Sequence, residues 1–179
     1  MATSITKAGI LGGITLFIWG ALSWMVLPWH TKTIHSFTDE AAITQLIQSN
    51  APISGMYFSP AWKQNDTAKD KAQMQGPMVF ASVRLEGISS SMTVSMIISF
   101  LTQAIAAFFV AWLLSKTKGL NYLERVGFVV IFALAAGIVT DIPYWNWFAF
   151  DMQYTLVAMA DLLIGWFFAG LVLAKFCKK

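Results

Sequence analysis

Cysteine is almost missing from this chain. Cys177 stands alone near the end, so no internal disulfide can form. Histidine is nearly as scarce. His30 and His35 are the only two, and neither lies inside a long apolar run, which excludes a bis-histidine haem held between spanning helices. Charge is low too: Asp, Glu, Lys and Arg make up 12% of the 179 residues, well under the share in an ordinary soluble domain. The chain also lacks a phosphate-cradling glycine loop, a nucleophile elbow, a serine–histidine–acid set and a helical zinc pair. These absences lead us to expect no cofactor and no catalytic residue.

Apolar sequence is what the chain has in abundance: 57% of its residues are hydrophobic and 15% aromatic. They gather in four blocks, 8–29, 91–115, 126–142 and 152–174. A helix rises 1.5 Å per residue, so about 20 residues cross a hydrocarbon core of roughly 30 Å. None of the blocks has the polar face that a helix of a water-soluble domain would need. The expected fold class is therefore an all-α membrane protein. It has four transmembrane helices in an antiparallel bundle, with a small α+β extracytoplasmic cap between the first and second.

The first block follows a short basic start and could be taken for a signal peptide, with Ala21-Leu22-Ser23 as small residues at a cleavage spacing. The run continues through Trp24, Met25, Val26 and Leu27, so residues 1–29 are read as the N-terminus and first span. Residues 30–90 form the polar cap. A helix is expected over about 38–49, capped by Ser36 or Thr38, and a β-ribbon over about 55–59 and 78–85. Residues 64–75 between the strands are polar, and the Asn65-Asp66-Thr67 acceptor for glycosylation falls there. A cap this small has too little core to stand alone. The second span covers 91–115, a cytoplasmic loop 116–125, the third span 126–142 with a stop at Asp141-Ile142-Pro143, an aromatic link 143–151, the fourth span 152–174 and a basic tail 175–179.

Small residues at three- or four-residue spacing mark the faces where helices approach one another. Gly9 and Gly13 do so on the first span, Ser95 and Ser99 on the second, Gly137 on the third, and Gly165 with Ala169 on the fourth. Basic residues set the orientation. Lys7, Lys116, Lys118, Arg125, Lys175, Lys178 and Lys179, seven of the twelve, flank helix ends on one side, which predicts both termini in the cytoplasm. The net charge of +3 is thus spread over helix ends, and no nucleic-acid partner is expected. The bilayer is the first partner, with other membrane subunits or further copies of the chain as the second. The outline is similar to claudin-like and tetraspanin-like proteins. Those families staple the outer loop with cysteines, which this loop lacks, so the similarity ends at topology.

Asp161 is the one acid deep inside a span, about ten residues into the last block. Such a residue faces protein or water rather than lipid, and its default meaning is functional. Counted from the outer ends, Gln103 of the second span reaches a similar depth, as do Trp19 and Ser23 of the first. These four form the candidate intramembrane ligand or proton site, but with no basic or second acidic partner in the spans a plain inter-helix hydrogen bond is the favoured reading of Asp161. At the outer interface the candidates are His30, His35, Asp141 and Asp151. A metal on His30 and His35 is weakly supported, since an offset of five puts them on different faces of a helix or strand. Helix-end acids such as Asp141 and Asp151 are more often caps or solvated.

Three functions follow. The first is a non-catalytic accessory or assembly subunit of a membrane complex, on a general look of a bacterial inner-membrane protein. The second is a small carrier or sensor that uses Asp161. The third is a membrane metal protein or enzyme at His30 and His35.

Overall fold

The four apolar blocks fold as four long helices in a computed structural model that describes residues 2–60, 75–87 and 91–177. In chain order the helices are α1 (Ala2–Met25), α2 (Trp29–Thr33), α3 (Glu40–Asn50), α4 (Met92–Lys116), α5 (Tyr122–Phe148) and α6 (Met152–Phe176), with strands β1 (Gly55–Ser59) and β2 (Val79–Val83) between α3 and α4. α1, α4, α5 and α6 are each long and apolar enough to cross a membrane. Their outward faces carry Ile10, Ile14, Ile18, Ile97, Leu101, Ile131 and Val139, all exposed. Apolar surface on that scale would drive aggregation in water, and lipid is the solvent that suits it.

The chain divides into two units, Met1–Ile34 with Ser91–Lys179, and His35–Ser90. In the second unit β1 and β2 pair antiparallel, with Gly55 opposite Val83 and Ser59 opposite Val79. Phe58 and Phe80 face each other across the ladder at 6.4 Å. Ser54 Oγ donates to Glu86 at 2.8 Å and accepts the Leu85 N–H, which closes the open end of the hairpin. The ribbon lies where the alternating pattern put it, although β2 is shorter than 78–85. The cap of α3 was misassigned. Asp39, not Ser36 or Thr38, accepts the Ala42 N–H, because a carboxylate is both a short acceptor and a counter-charge for the helix N-terminus. Residues 61–74, with the glycosylation motif and most of the polar stretch 64–75, lie outside the described residues.

In the first unit α1 packs against α4 and α6, and α6 packs against α1 and α5, each pair antiparallel. α4 touches α5 and α6 only slightly. The helices thus form a row in the order α4, α1, α6, α5 rather than a closed square. Glycine sets the closest approach. A Cβ on Gly13 would sit 2.5 Å from the Cα of Ala104, and one on Gly9 2.9 Å from that of Phe108.

At the end that carries the termini all four helices converge. Ala8, Val110, Ala111, Leu114, Val129, Leu173 and Cys177 form one buried cluster there. Ser4 Oγ donates to the Phe176 carbonyl at 2.6 Å, and the Tyr122 hydroxyl to that of Leu171 at 3.0 Å. Asn121 and Glu124 form a reciprocal capping box where α5 begins.

At the other end the third span runs past its expected stop at Ile142. Pro143 lies inside α5, which ends only at Ala149 with φ 52°. Proline removes one backbone donor, that to the Val139 carbonyl, but its fixed φ suits a helix and the next turn can form. Tyr144 stacks near Phe148 and Phe150, at 5.7 and 5.2 Å, and Phe150 near Tyr154 at 5.9 Å, so the aromatic run folds back on itself. The link before α6 shrinks from 143–151 to residues 149–151.

Cys177 gives a built-in unfolding probe. It is 7% exposed, and burial pushes its thiol up, against a smaller opposing pull from Arg125. Alkylation by a maleimide dye should therefore await unfolding. With that readout in detergent, Gly13→Ala is expected to lower the unfolding temperature by the equivalent of about 1–3 kcal/mol of overpacking. Gly127→Ala, with nothing within 4 Å of its Cβ, should leave it unchanged or raise it slightly.

Candidate functional site

α1 stops at Met25, and Pro28 starts the single turn of α2. Had α1 continued, His30 would lie about 10.5 Å along the axis from Ser23. The turn instead folds the chain back, so that His30 Nε2 lies 3.0 Å from Ser23 Oγ. Trp29 Nε1–H donates to the same hydroxyl at 3.0 Å. His30 stacks on Trp24 with ring centroids 3.9 Å apart and 7° between planes. Ser23 is fully buried and His30 is 3% exposed. α2 therefore belongs with the spans, and not with the 30–90 cap in which the sequence had placed His30.

The folded-back histidine meets the intramembrane acid. His30 Nε2 lies 3.3 Å from Asp161 Oδ2, and Trp19 Nε1–H donates to Asp161 Oδ1 at 2.7 Å and to its backbone carbonyl at 3.1 Å. One carboxyl oxygen thus accepts from Trp19, and the other lies at ion-pair distance from His30. Gly165 makes this possible: a Cβ there would sit 2.8 Å from Trp19 Cδ1, so only glycine lets the indole reach across to Asp161. Phe168 closes on the same indole at 5.5 Å.

Because α4 and α5 touch only slightly, the row borders an open cavity of about 810 Å³ beside the pair. Its wall takes Leu16, Trp19, Gly20 and Trp24 from α1, His30 from α2, Met92 to Ala106 along one face of α4, Thr140 and Asp141 from α5, and Tyr154, Asp161 and Trp166 from α6. The α4 residues span about 21 Å of helix, so the cavity runs from the helix ends toward the middle of the bundle. The volume is that of a site for a small organic ligand. Among the described residues no lysine or arginine lines it.

The sequence candidates divide cleanly. Asp161, Trp19, Ser23 and His30 come together. Gln103 lies at the same level of α1, its Nε2 3.6 Å from the Cβ position of Gly20, but the Asp161 carboxyl accepts from Trp19 and lies beside His30 instead. Gln103 Oε1 is buried and has no hydrogen-bond donor among the described residues. Ser95 and Ser99, expected at a helix contact, line the cavity instead, because α4 leans away from its neighbour. Gly9, Gly13, Gly137, Gly165 and Ala169 do sit at helix contacts. Asp141 lines the cavity, whereas Asp151 caps α6 by accepting the Tyr154 N–H at 3.0 Å. His35 falls in the other unit and is exposed. Among the described residues no three His, Cys, Asp or Glu side chains gather as a metal cluster requires. The contacts of Trp24 and Trp29 with His30 were missed by sequence reasoning; the helix break at Pro28 between them was the available signal.

No family model matches this sequence, and neither does any curated protein or solved structure. The geometry alone therefore carries the functional argument.

Gly165→Ala tests the seating of Trp19. The added methyl should push the indole off Asp161, shift the tryptophan emission and cost about 1–3 kcal/mol of stability. An unchanged emission spectrum and unfolding temperature would show that the contact does not position the ring.

Proposed function

We propose that this chain is an integral membrane protein that binds a small ligand in the cavity between α1, α4, α5 and α6, as a small carrier or sensor centred on Asp161. One observation carries the proposal: an acid–histidine pair, Asp161 3.3 Å from His30, forms part of the wall of a ligand-sized cavity. Functional acids within membranes are held in this way, paired and turned toward a cavity rather than toward lipid. The packed cluster at the end bearing the termini supports access from the other end only. With the termini assigned to the cytoplasm by their basic residues, the cavity opens outward, in the setting of a bacterial inner membrane.

A second reading, an accessory or assembly subunit, is favoured by the slight contact between α4 and α5, which leaves the row of helices open to a helix from another subunit or another copy. Native-gel migration after gentle extraction decides it. Association with a second chain supports it, and a monomer free of other protein opposes it.

The ligand reading is tested by screening small molecules against the purified protein in nanodiscs, with Cys177 alkylation as the unfolding signal. A ligand at about 100 times its Kd stabilises the folded chain by about 2.7 kcal/mol. Hits should raise the unfolding temperature of the wild type and lose most of that effect in Asp161→Asn, whose amide oxygen can still accept from Trp19. Hits that act equally on both proteins would remove Asp161 from the site.

A further inference from the structure

The chemistry of the cavity wall goes further and defines the class of ligand. We infer that the cavity takes an organic ammonium ion, a protonated amine on an apolar body; this rests on the reading of the cavity as a ligand site. Charge is the first argument. Asp141 and Asp161 face the cavity, and no lysine or arginine does among the described residues. The titratable side chains that accompany them are His30 and Tyr154. With Asp161 ionised, the Asp161–His30 pair carries one negative charge if the ring holds one proton and none if it holds two. Asp141 adds a negative charge in either case when ionised, and it makes no ion pair among the described residues. Nothing permanent on the wall attracts an anion, and in a medium of low dielectric that exclusion is strong.

The second argument is the orphaned acceptor. Gln103 Oε1 is buried without a donor, at the level of α1 where Trp19 reaches Asp161. A buried acceptor is satisfied only by an incoming N–H or O–H. An ammonium group supplies several donors together with the charge that Asp141 and Asp161 favour. The third argument is aromatic. The indoles of Trp19, Trp24 and Trp166 line the same cavity, and tryptophan is the best cation–π partner among the side chains. An alcohol would meet the acceptor but not the charge, and a carboxylate would meet neither.

Three probes of matched shape test the inference: phenethylammonium, phenethyl alcohol and phenylpropionate. Each is titrated into nanodisc-embedded protein, with tryptophan emission and the unfolding temperature as readouts and empty nanodiscs as the partition control. The expected result is saturable binding of the ammonium, about tenfold or more tighter than the alcohol, with the carboxylate weakest. Asp141→Asn should weaken the ammonium severalfold and leave the alcohol unchanged. Gln103→Leu should weaken both donors, and each variant is first checked for a wild-type unfolding temperature, so that lost binding is not lost folding. If the alcohol or the carboxylate binds as well as the ammonium, the ligand class is overturned while the cavity stands as a site. If none of the three gives a saturable response up to about 10 mM, the limit of weak specific binding, the class and the underlying ligand site fail together.

Discussion

A carboxyl group placed halfway down an apolar helix loses much of its water and must be given partners by protein, and much of the half of the bundle away from the termini follows from that requirement. Asp161 on α6 has two oxygens to satisfy. One is met by Trp19 from the neighbouring helix at 2.7 Å, the other by His30 from the turn beyond it at 3.3 Å. For Trp19 to reach, α1 and α6 must approach at Gly165, where even one methyl would collide with the indole. For His30 to reach, α1 must end early and the chain must reverse at Pro28, which puts Ser23, Trp24 and Trp29 around the imidazole. The requirements of one acid thus explain a glycine, a proline and three tryptophans.

The same helices are packed differently at their two ends. Toward the termini, glycines and alanines let α1 settle onto α4, and leucine and valine fill the centre. Toward the acid, bulky indoles and a polar pair occupy α1 and α6, while α4 presents Ser95, Ser99 and Thr102 to open space. Close packing of helices in lipid depends on dispersion contacts and small residues rather than on the hydrophobic effect. A face of short hydroxyl side chains with no helix against it forfeits those contacts. The cavity is therefore a cost to stability, concentrated on one side of a molecule whose other side is filled.

The spans were legible because solvent selects their composition: twenty apolar residues in a row are readable at any point of the chain, and Ser91, Asn121 and Asp151 cap the helices where short polar residues precede the runs. Asp161 was legible for the same reason, as the exception in an apolar run. His30 was not. Its position depends on a reversal between α1 and α2 that brings residues seven apart into hydrogen bonding, and periodicity has no term for a chain that turns back. The continuation of α5 through Pro143 was missed because proline was weighed as a helix breaker, whereas near a helix end it removes only one bond. Ser95 and Ser99 were read correctly as a face but given the wrong neighbour, since spacing identifies which residues share a face and not what the face meets.

The finding of a partner for Asp161 changes the weight of its two explanations. As a lone acid it was most simply an inter-helix hydrogen bond, glue worth about 1 kcal/mol. An acid–histidine pair largely withdrawn from water, here with side chains 4% and 18% exposed, is in general poor glue, because desolvation offsets much of its attraction. Glue would also not need the indoles, the forked serine and the glycine that hold the pair in one geometry, nor would it need to stand on a cavity wall. The pair instead stands on the wall of a ligand-sized cavity, held in one geometry by five other residues, and that arrangement is what the ligand reading rests on.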